Sequence, residues 1–320
     1  MFTGDTRLKE IYYTPEFTEF RDFVLPDFGV FKPVVHQFKV KNLIKEWGYE
    51  SIVEGLNYMV RLQKSGQHIF YNLFDREEIL ENERVKQRVM FHFPVKERRP
   101  FAVICAGGSY TYVCSFVEGF PVAKHLNELG YHAFVVNYRA GKYIKDARDP
   151  MDDLAAAISF ILSNAERLGV ATEEYLVCGF SAGGHLVSGY GTQSLGYPKY
   201  KLPRPAALIL SYPVITMGEY THKGSQKKLL GKEVRKEEMV NKYSIDKQIT
   251  SLYPPTYVWQ CSQDRLVPIE NTRMLVHEFD KCGVKYQYKT FDSNAHGWGL
   301  GKGTIAEGWL EEAIHFYETL

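Results

Sequence analysis

The chain has 320 residues, of which 45% are hydrophobic and 24% are charged. This balance is typical of a globular protein with a large core, and it excludes disorder along the whole chain. The 39 Lys and Arg residues nearly cancel the 38 Asp and Glu residues, so we expect neither nucleic acid nor a membrane surface as a partner. No apolar run approaches the roughly 20 residues that cross a bilayer, and the N-terminal segment lacks an apolar signal core. We therefore expect a cytoplasmic protein.

The first 85 residues differ from the rest of the chain. Fifteen of the first 74 residues are aromatic, about a fifth, against 14% for the whole chain. The pattern gives helical fragments, such as residues 52–62, and no succession of strands. We expect residues 1–85 to form a largely helical extension and residues 86–320 to form a catalytic domain. The extension either packs its aromatic side chains onto that domain or caps the mouth of its site.

From about residue 100, apolar runs alternate with helical patterns. The runs predicted as strands are residues 101–105, 132–137, 175–179, 207–210, 256–260 and 286–291. The clearest helix has Asp149 as its N-cap, Pro150 in its first turn and Gly169 as its stop. This alternation predicts an α/β fold with a doubly wound, mostly parallel sheet. Ligands of such sheets bind at the carboxyl ends of the strands.

Five cysteines are too few and too scattered to predict a disulfide framework or a zinc site. Three of them lie in or at the end of the strand-like runs, so we expect Cys105, Cys178 and Cys261 to be small buried side chains. The sequence indicates no metal and no organic cofactor.

The most informative motif is Gly-Phe-Ser-Ala-Gly-Gly at residues 179–184, which follows a predicted strand and opens a helical stretch near His185. A sharp strand-to-helix turn needs small residues because a Cβ atom on either side of its centre would clash with the strand or the helix. Such a turn exposes the central hydroxyl at the top of the sheet. We therefore predict that Ser181 is a nucleophile; the alternative is a serine that only caps the helix.

A serine hydroxyl needs a base to become a good nucleophile. His296 is the best candidate among ten histidines, because it lies in the loop Asn-Ala-His-Gly-Trp-Gly directly after the last predicted strand. His185 is closer to Ser181 in sequence, but we expect it to pack beneath the turn.

The base in turn needs a carboxylate that fixes its tautomer. Asp264 follows the strand at 256–260, and a side chain there can face a histidine placed after the next strand. Asp292, four residues before His296, is the alternative. An oxyanion also needs N–H donors. Ala182, next to the nucleophile, is one candidate, and the other should come from the glycine loop at residues 105–110, after the first strand of this region.

Together these residues resemble the α/β-hydrolase superfamily, in which the triad also follows the order Ser, Asp, His. The closest likeness is to the bacterial esterase and lipase group that includes hormone-sensitive-lipase-like and feruloyl-esterase-like (BD-FAE) acyl hydrolases and acetyl-xylan esterases. The likeness covers about residues 90–320 and rests on the motifs CAGGSY, VNYR, DPMDD, GFSAGGH, SYP, SQDRLVP and NAHGWGLG. The family's glycine loop reads HGGG or PGGG, whereas Ala106 and Ser109 stand at its first and last positions here. Gly107 and Gly108 match glycines that donate to the oxyanion in the family, so the resemblance implies these two as oxyanion donors.

The resemblance implies a serine carboxylesterase that hydrolyses short-chain acyl esters, including those of acetylated or otherwise acylated carbohydrates, without a cofactor. The expected partner is a small-molecule ester, and the sequence leaves a homo-oligomer open. A serine peptidase of aminopeptidase type shares this fold, but no acidic anchor for a substrate amine is evident. A binding protein without catalysis generally lacks a triad member, and all three are present here.

Overall fold

The computed structural model describes residues 1–27 and 29–320. In this part of the chain eight strands form one sheet in the order β1-β2-β4-β3-β5-β6-β7-β8. The strands are β1 (Phe70–Asn72), β2 (Val89–Phe93), β3 (Arg99–Cys105), β4 (His132–Asn137), β5 (Val170–Phe180), β6 (Ala207–Ser211), β7 (Thr256–Cys261) and β8 (Tyr286–Phe291). Strands β3 to β8 run parallel to one another, whereas β2 pairs antiparallel with β1 and β4. The predicted fold class, an α/β protein with a mostly parallel sheet, is confirmed.

The six predicted strands are confirmed as β3 to β8. The sequence prediction missed β1 and β2. Strand β1 has only three residues, too few for a period to show. Strand β2 is buried at all five positions, so it lacks the alternation of polar and apolar residues that marks a half-exposed strand.

The described residues also form thirteen α-helices. They are α1 (Leu8–Tyr12), α2 (Arg21–Val24), α3 (Lys32–Val35), α4 (Tyr49–Lys64), α5 (Arg76–Glu81), α6 (Phe120–Glu128), α7 (Asp149–Ser163), α8 (Ala165–Leu168), α9 (Ser181–Tyr190), α10 (Lys223–Leu230), α11 (Glu237–Tyr243), α12 (Glu270–Cys282) and α13 (Trp309–Glu318). A five-residue π-helical turn, Ser115–Gly119, leads directly into α6. None of the helices in the described ranges is long and apolar enough to cross a membrane.

Three helix boundaries differ from the prediction. Asp149 is the first residue of α7, not its N-cap, and α7 ends at Ser163 instead of continuing to Gly169. The side-chain amide of Asn164 donates to the Phe160 carbonyl at 2.8 Å, which ends the helix, and α8 follows as a separate turn. Gly169 then stops α8 with a φ of 72°, as predicted for a glycine at that position. Helix α9 begins at Ser181 itself, four residues earlier than expected.

Both faces of the sheet are covered by helices. Alternate residues of β3 belong to two separate cores: Ala102 and Ile104 face the core that includes side chains of α4, α6 and α13. Phe101 and Val103 face the core that includes side chains of α7, α9 and α12. Because both faces of the central strands are buried, β6 and β7 are buried at every position, and such apolar runs made the sequence pattern recognisable.

Residues 1–85 pack on the first of these cores. Phe20, near the start of the chain, contacts Phe70 of β1 and Phe91 of β2, with 5.3 Å between ring centroids in each pair. The buried aromatic side chains Phe20 and Phe70 therefore lie against the main sheet, whereas Tyr13 and Phe31 are exposed, and β1 adds an edge strand to the sheet. The proposed boundary at residue 85 stays a prediction.

Candidate active site

The turn between β5 and α9 places Ser181 at the carboxyl end of the sheet. Strand β5 ends at Phe180 and α9 begins at the next residue, so no loop separates them. Ser181 has a φ of 51°, in the left-handed region that is unfavourable for residues with a Cβ atom. The backbone is therefore strained at the residue that the sequence identified as the nucleophile.

Two glycines make this turn sterically feasible. A Cβ atom on Gly179 would lie 2.5 Å from the Gly183 carbonyl oxygen and 2.8 Å from Val187 Cβ. A Cβ atom on Gly183 would lie 2.1 Å from the Cys105 carbonyl oxygen, at the end of β3. Both contacts are shorter than van der Waals distances, so only glycine fits, as the motif predicted.

The structure brings Ser181, His296 and Asp264 together from three distant parts of the chain. His296 Nε2 lies 2.8 Å from Ser181 Oγ, and His296 Nδ1 lies 2.7 Å from Asp264 Oδ2. His296 is in the loop after β8, and Asp264 is in the loop after the neighbouring strand β7. This is the geometry that a nucleophile, a base and an orienting carboxylate require. Their catalytic roles stay predictions.

The Asp264 carboxylate is held in place by its own loop. Its Oδ1 accepts hydrogen bonds from the N–H groups of Leu266 and Val267 at 2.8 and 3.0 Å, and its side chain is fully buried. The alternative acid, Asp292, is exposed and accepts a hydrogen bond from Gln263 Nε2 at 2.9 Å instead. Of the two candidates, Asp264 is the one that contacts His296.

His185, the alternative base, is buried beneath the turn. Its Nε2 donates to the Tyr243 carbonyl oxygen at 2.8 Å, which leaves Nδ1 to accept from the Tyr110 hydroxyl, also at 2.8 Å. Burial lowers the pKa of His185 to about 4, so the ring is neutral at pH 7. With both ring nitrogens occupied, His185 is a structural residue, as expected.

The loop after β3 lies against Ser181 and carries the predicted oxyanion donors. No acceptor for the Gly108 N–H is found among the described residues, and Gly108 has a φ of 124°. The Ala182 N–H is in the first turn of α9, where N–H groups have no helical acceptor. Both donors are therefore available to a ligand, and their role stays a prediction.

Gly107 differs from its prediction as an oxyanion donor. Its N–H already donates to Glu118 Oε2 at 2.6 Å, so it is not free to meet a substrate oxygen. This acceptor was not predicted, because Glu118 is eleven residues further along the chain. Two of the three predicted donors thus remain open in this structure.

The site also contacts two residues, Glu118 and Tyr212, that were not predicted as site residues. Glu118 lies on the π-helical turn and is buried, and its Oε1 accepts a hydrogen bond from the Tyr212 hydroxyl at 2.8 Å. The Tyr212 ring packs edge-on against His296, with 4.8 Å between centroids. Burial raises the pKa of Glu118, whereas the hydrogen bonds from Gly107 and Tyr212 lower it. A lone carboxylate in the apolar run 113–123 is the signal that could have identified Glu118.

The motifs VNYR and DPMDD form a different buried cluster. Arg139 is held between Asp149 and Asp153, with 2.8 Å from its guanidinium to each carboxylate, and its side chain is only 5% exposed. These residues join the end of β4 to α7 and do not contact the triad. Among the described residues, no group of three or more His, Cys, Asp or Glu side chains is arranged to hold a metal ion.

The N-terminal region reaches the histidine loop. Trp47 is half-buried, and a Cβ atom on Gly297, next to His296, would lie 3.4 Å from Trp47 Nε1. The Trp47 ring also packs edge-on against Phe116, with 5.7 Å between centroids. A separate cavity has a volume of about 250 Å³. Residues 22–27 line it on one side, and residues 111–113, which follow the glycine loop, line it on the other. Residues 1–85 therefore contribute to the surroundings of the site.

Sequence comparison finds relatives of this chain among xylan-related enzymes. An endo-1,4-β-xylanase B from Butyrivibrio fibrisolvens is 30% identical over 220 residues, and an acetylxylan esterase from Xylanibacter ruminicola is 33% identical over 199 residues. These matches cover 66% and 61% of this chain but only 34% and 40% of the two relatives.

A solved structure, an acetyl ester-xyloside bifunctional hydrolase from Caldicellulosiruptor lactoaceticus, superimposes with a TM-score of 0.69 at 29% identity. The superposition covers 78% of this chain and 95% of that one. The esterases among these proteins agree with the expected class, a carboxylic ester hydrolase. The sequence profile of the BD-FAE family matches residues 91–279, more than half of the chain. The chain therefore belongs to the BD-FAE family and has the α/β-hydrolase fold.

Proposed function

We propose that this protein is a serine carboxylesterase that removes short acyl groups from acylated carbohydrates, with acetylated xylan as the leading substrate class. The observation that carries the proposal is the position of His296, within hydrogen-bond distance of both the Ser181 hydroxyl and the Asp264 carboxylate. The carbohydrate part of the proposal is supported by the xylan-related relatives and neighbour.

In the acylation step, His296 Nε2 takes the proton of the Ser181 hydroxyl as Oγ attacks the ester carbonyl carbon. Asp264 accepts from His296 Nδ1–H and stabilises the imidazolium that forms. The new Oγ–C bond gives a tetrahedral oxyanion. When this intermediate collapses, the C–O bond to the alcohol breaks and the imidazolium protonates the departing alcohol oxygen.

Deacylation repeats these steps with water. His296 takes a proton from a water molecule, whose oxygen attacks the acyl carbon of the Ser181 ester. The Oγ–C bond then breaks, Ser181 regains its proton from His296, and the carboxylic acid leaves. The Gly108 and Ala182 N–H groups serve as oxyanion donors in both steps, and losing one such donor typically costs about 3 kcal/mol of transition-state stabilisation.

We also propose that residues 1–85 shape the substrate side of the site. The proximity of Trp47 to Gly297 supports this, because an indole ring beside the catalytic histidine can contact the alcohol or acyl part of an ester. A cytoplasmic location, the absence of nucleic-acid and membrane partners, and the oligomeric state stay predictions.

A substrate panel tests the proposed activity. The substrates are p-nitrophenyl acetate, butyrate and octanoate, an acetylated xylo-oligosaccharide and an aminoacyl p-nitroanilide, and Ser181→Ala is the control. We expect turnover of acetyl esters, including the acetylated oligosaccharide, and its loss in the variant. Cleavage of the anilide alone would indicate a peptidase, and binding without turnover would indicate a non-catalytic protein.

The contribution of the N-terminal region needs a point substitution, because deleting residues 1–85 would remove β1 and expose the core beneath it. We expect Trp47→Ala to change the ratio of kcat/KM for acetate and octanoate esters by about tenfold, through lost apolar contact with the substrate. The matched control is Phe38→Ala, at an aromatic residue of the same region that is 46% exposed. An unchanged ratio in Trp47→Ala would remove this part of the proposal.

A further inference from the structure

One buried carboxylate connects the two loops that flank Ser181. Glu118 Oε2 accepts from the Gly107 N–H at 2.6 Å, on the glycine loop, and Glu118 Oε1 accepts from the Tyr212 hydroxyl at 2.8 Å. The Tyr212 oxygen in turn accepts from the Gly299 N–H at 3.0 Å, on the histidine loop. A continuous chain of hydrogen bonds thus runs from the oxyanion side of the site to the histidine side.

We propose that Glu118 is a positioning residue of the reaction, an inference that rests on the function proposed above. Its carboxylate aligns the oxyanion loop with the histidine loop and stabilises the imidazolium of His296. Glu118 touches neither the nucleophile nor the reacting carbonyl in this scheme. It acts through the Gly107 peptide on one side and through Tyr212 on the other.

On the oxyanion side, Glu118 fixes a tightly packed peptide. A Cβ atom on Gly107 would lie 2.8 Å from Ser181 Cβ and 2.9 Å from Glu118 Oε2, so the nucleophile and the carboxylate each pack closely against the loop. Because the Gly107 N–H is held by this hydrogen bond, the next residue, Gly108, has a fixed starting point from which to present its own N–H. Preorganised donors of this kind stabilise an oxyanion without reorganising during the reaction.

On the histidine side, Tyr212 is held in an unusual conformation. It has a φ of 39°, in the left-handed region, directly after β6. Its hydroxyl is hydrogen-bonded to both Glu118 and Gly299, and its ring packs edge-on against His296. The strain at Tyr212 is maintained by these contacts, which set the position of the imidazole relative to Ser181.

The charges around Glu118 favour an interaction with His296. The titratable groups that face the carboxyl are the phenols of Tyr112, Tyr138 and Tyr212, the thiol of Cys114 and the imidazole of His296. Burial raises the pKa of the Tyr112 phenol to about 12 and raises the pKa values of the other phenols and of the thiol still more clearly, so these groups are neutral at pH 7. Among the described groups that face Glu118, the protonated imidazole of His296 is the one whose charge lowers the pKa of Glu118.

The surroundings of His296 are equally simple. The other titratable groups that face it are the carboxylate of Asp264 and the imidazole of His222, whose pKa is lowered by burial. His222 is therefore neutral at pH 7. Since Coulomb attraction is mutual, the negative charge of Glu118 adds to that of Asp264 in stabilising the imidazolium.

The pH dependence of kcat/KM for p-nitrophenyl acetate tests the proposal. Glu118→Gln keeps the size of the side chain and one acceptor oxygen but removes the charge. We expect kcat to fall about tenfold, with KM within about twofold, because the imidazolium and the oxyanion loop matter mainly in the transition state. We expect the acid limb of the profile, where the imidazole takes up a proton, to move to lower pH by about half a pH unit or more.

The matched control is Asp292→Asn, which removes an exposed carboxylate four residues before His296 and should leave the acid limb in place. An acid limb that stays at the wild-type position in Glu118→Gln, whatever the rate, would overturn the proposal, because Glu118 would then only support the fold. Should Glu118→Gln fail to fold, as judged by thermal unfolding, Glu118→Met is a second uncharged variant with the same expected shift. Retained esterase activity in Ser181→Ala would instead overturn the proposed function itself.

Discussion

Asp153 and Asp264 are both buried carboxylates at the carboxyl-terminal side of the sheet, but they face different partners. Asp153 accepts hydrogen bonds from the Arg139 guanidinium and from the Arg139 N–H, the latter at 2.7 Å. Asp264 accepts from two N–H groups of its own loop and from the imidazole of His296. A guanidinium is charged at every physiological pH, whereas an imidazole gains and loses a proton near neutrality.

This difference in partners distinguishes the structural Arg139 cluster from the candidate active site around His296. In the Arg139 cluster, burial raises the pKa of Asp153 and the guanidinium lowers it, so the pair neutralises its own charge and has no proton to exchange. In the His296 cluster, the partner can accept a proton from Ser181 and return it. The motifs DPMDD and SQDRLVP, which both contributed to the family resemblance, thus have different physical roles.

Among the substitutions that test this comparison, we expect the largest effect on kcat at Asp264. An amide in place of the carboxylate donates to Nδ1 and forces the wrong tautomer on His296, so we expect Asp264→Asn to lower kcat by about 10³- to 10⁴-fold with the fold intact. Steady-state kinetics on p-nitrophenyl acetate and a circular dichroism spectrum measure both parts. A loss below tenfold would contradict the role assigned to Asp264.

The Arg139 cluster should show the opposite behaviour. Arg139→Met leaves the buried Asp153 carboxylate without its cation and leaves Asp149 with Arg84 alone, so we expect it to lower the free energy of unfolding by about 3–5 kcal/mol. We expect kcat per folded molecule to stay within about threefold of wild type, because the cluster does not contact the triad. Urea unfolding and active-site titration check these values. A folded variant with a large loss of kcat would remove the distinction between the two clusters.

The smallest effect is expected at Asp292. This carboxylate is exposed and bound to Ser262 and Gln263, so we expect Asp292→Asn to change kcat/KM by less than about twofold. The same kinetic assay that is used for Asp264→Asn measures it. A loss comparable to that of Asp264→Asn would show that the exposed carboxylate moves to His296 during turnover.

Much of the fold and the convergence of Ser181, Asp264 and His296 followed from the sequence, whereas their catalytic roles stay predictions. The central parallel strands were predictable because both of their faces are buried, and the Ser181 turn was predictable because only glycines fit around it. His296 and Asp264 followed from strand order, since residues after adjacent parallel strands meet at one edge of the sheet. Each of these inferences depends on local sequence and a general rule of topology.

The missing parts depend on contacts between distant residues. Glu118 becomes part of the site only because the π-helical turn brings it against Gly107 and Tyr212, 94 residues away in the case of Tyr212. The same contact withdraws the Gly107 N–H from the oxyanion donors that the glycine motif suggested. The approach of Trp47 to the histidine loop likewise spans most of the chain. The hydrophobic periodicity of a short sequence segment does not predict such contacts.

Covalent labelling of Ser181 tests the central claim most directly. The protein is treated with a fluorophosphonate, which reacts with activated serine hydroxyls, and the adduct is located by peptide mass spectrometry. We predict one adduct per chain on the peptide that contains Ser181, esterase activity lost in proportion to labelling, and no adduct in Ser181→Ala. Stoichiometric labelling at another residue, or full esterase activity in a chain labelled at Ser181, would contradict the account.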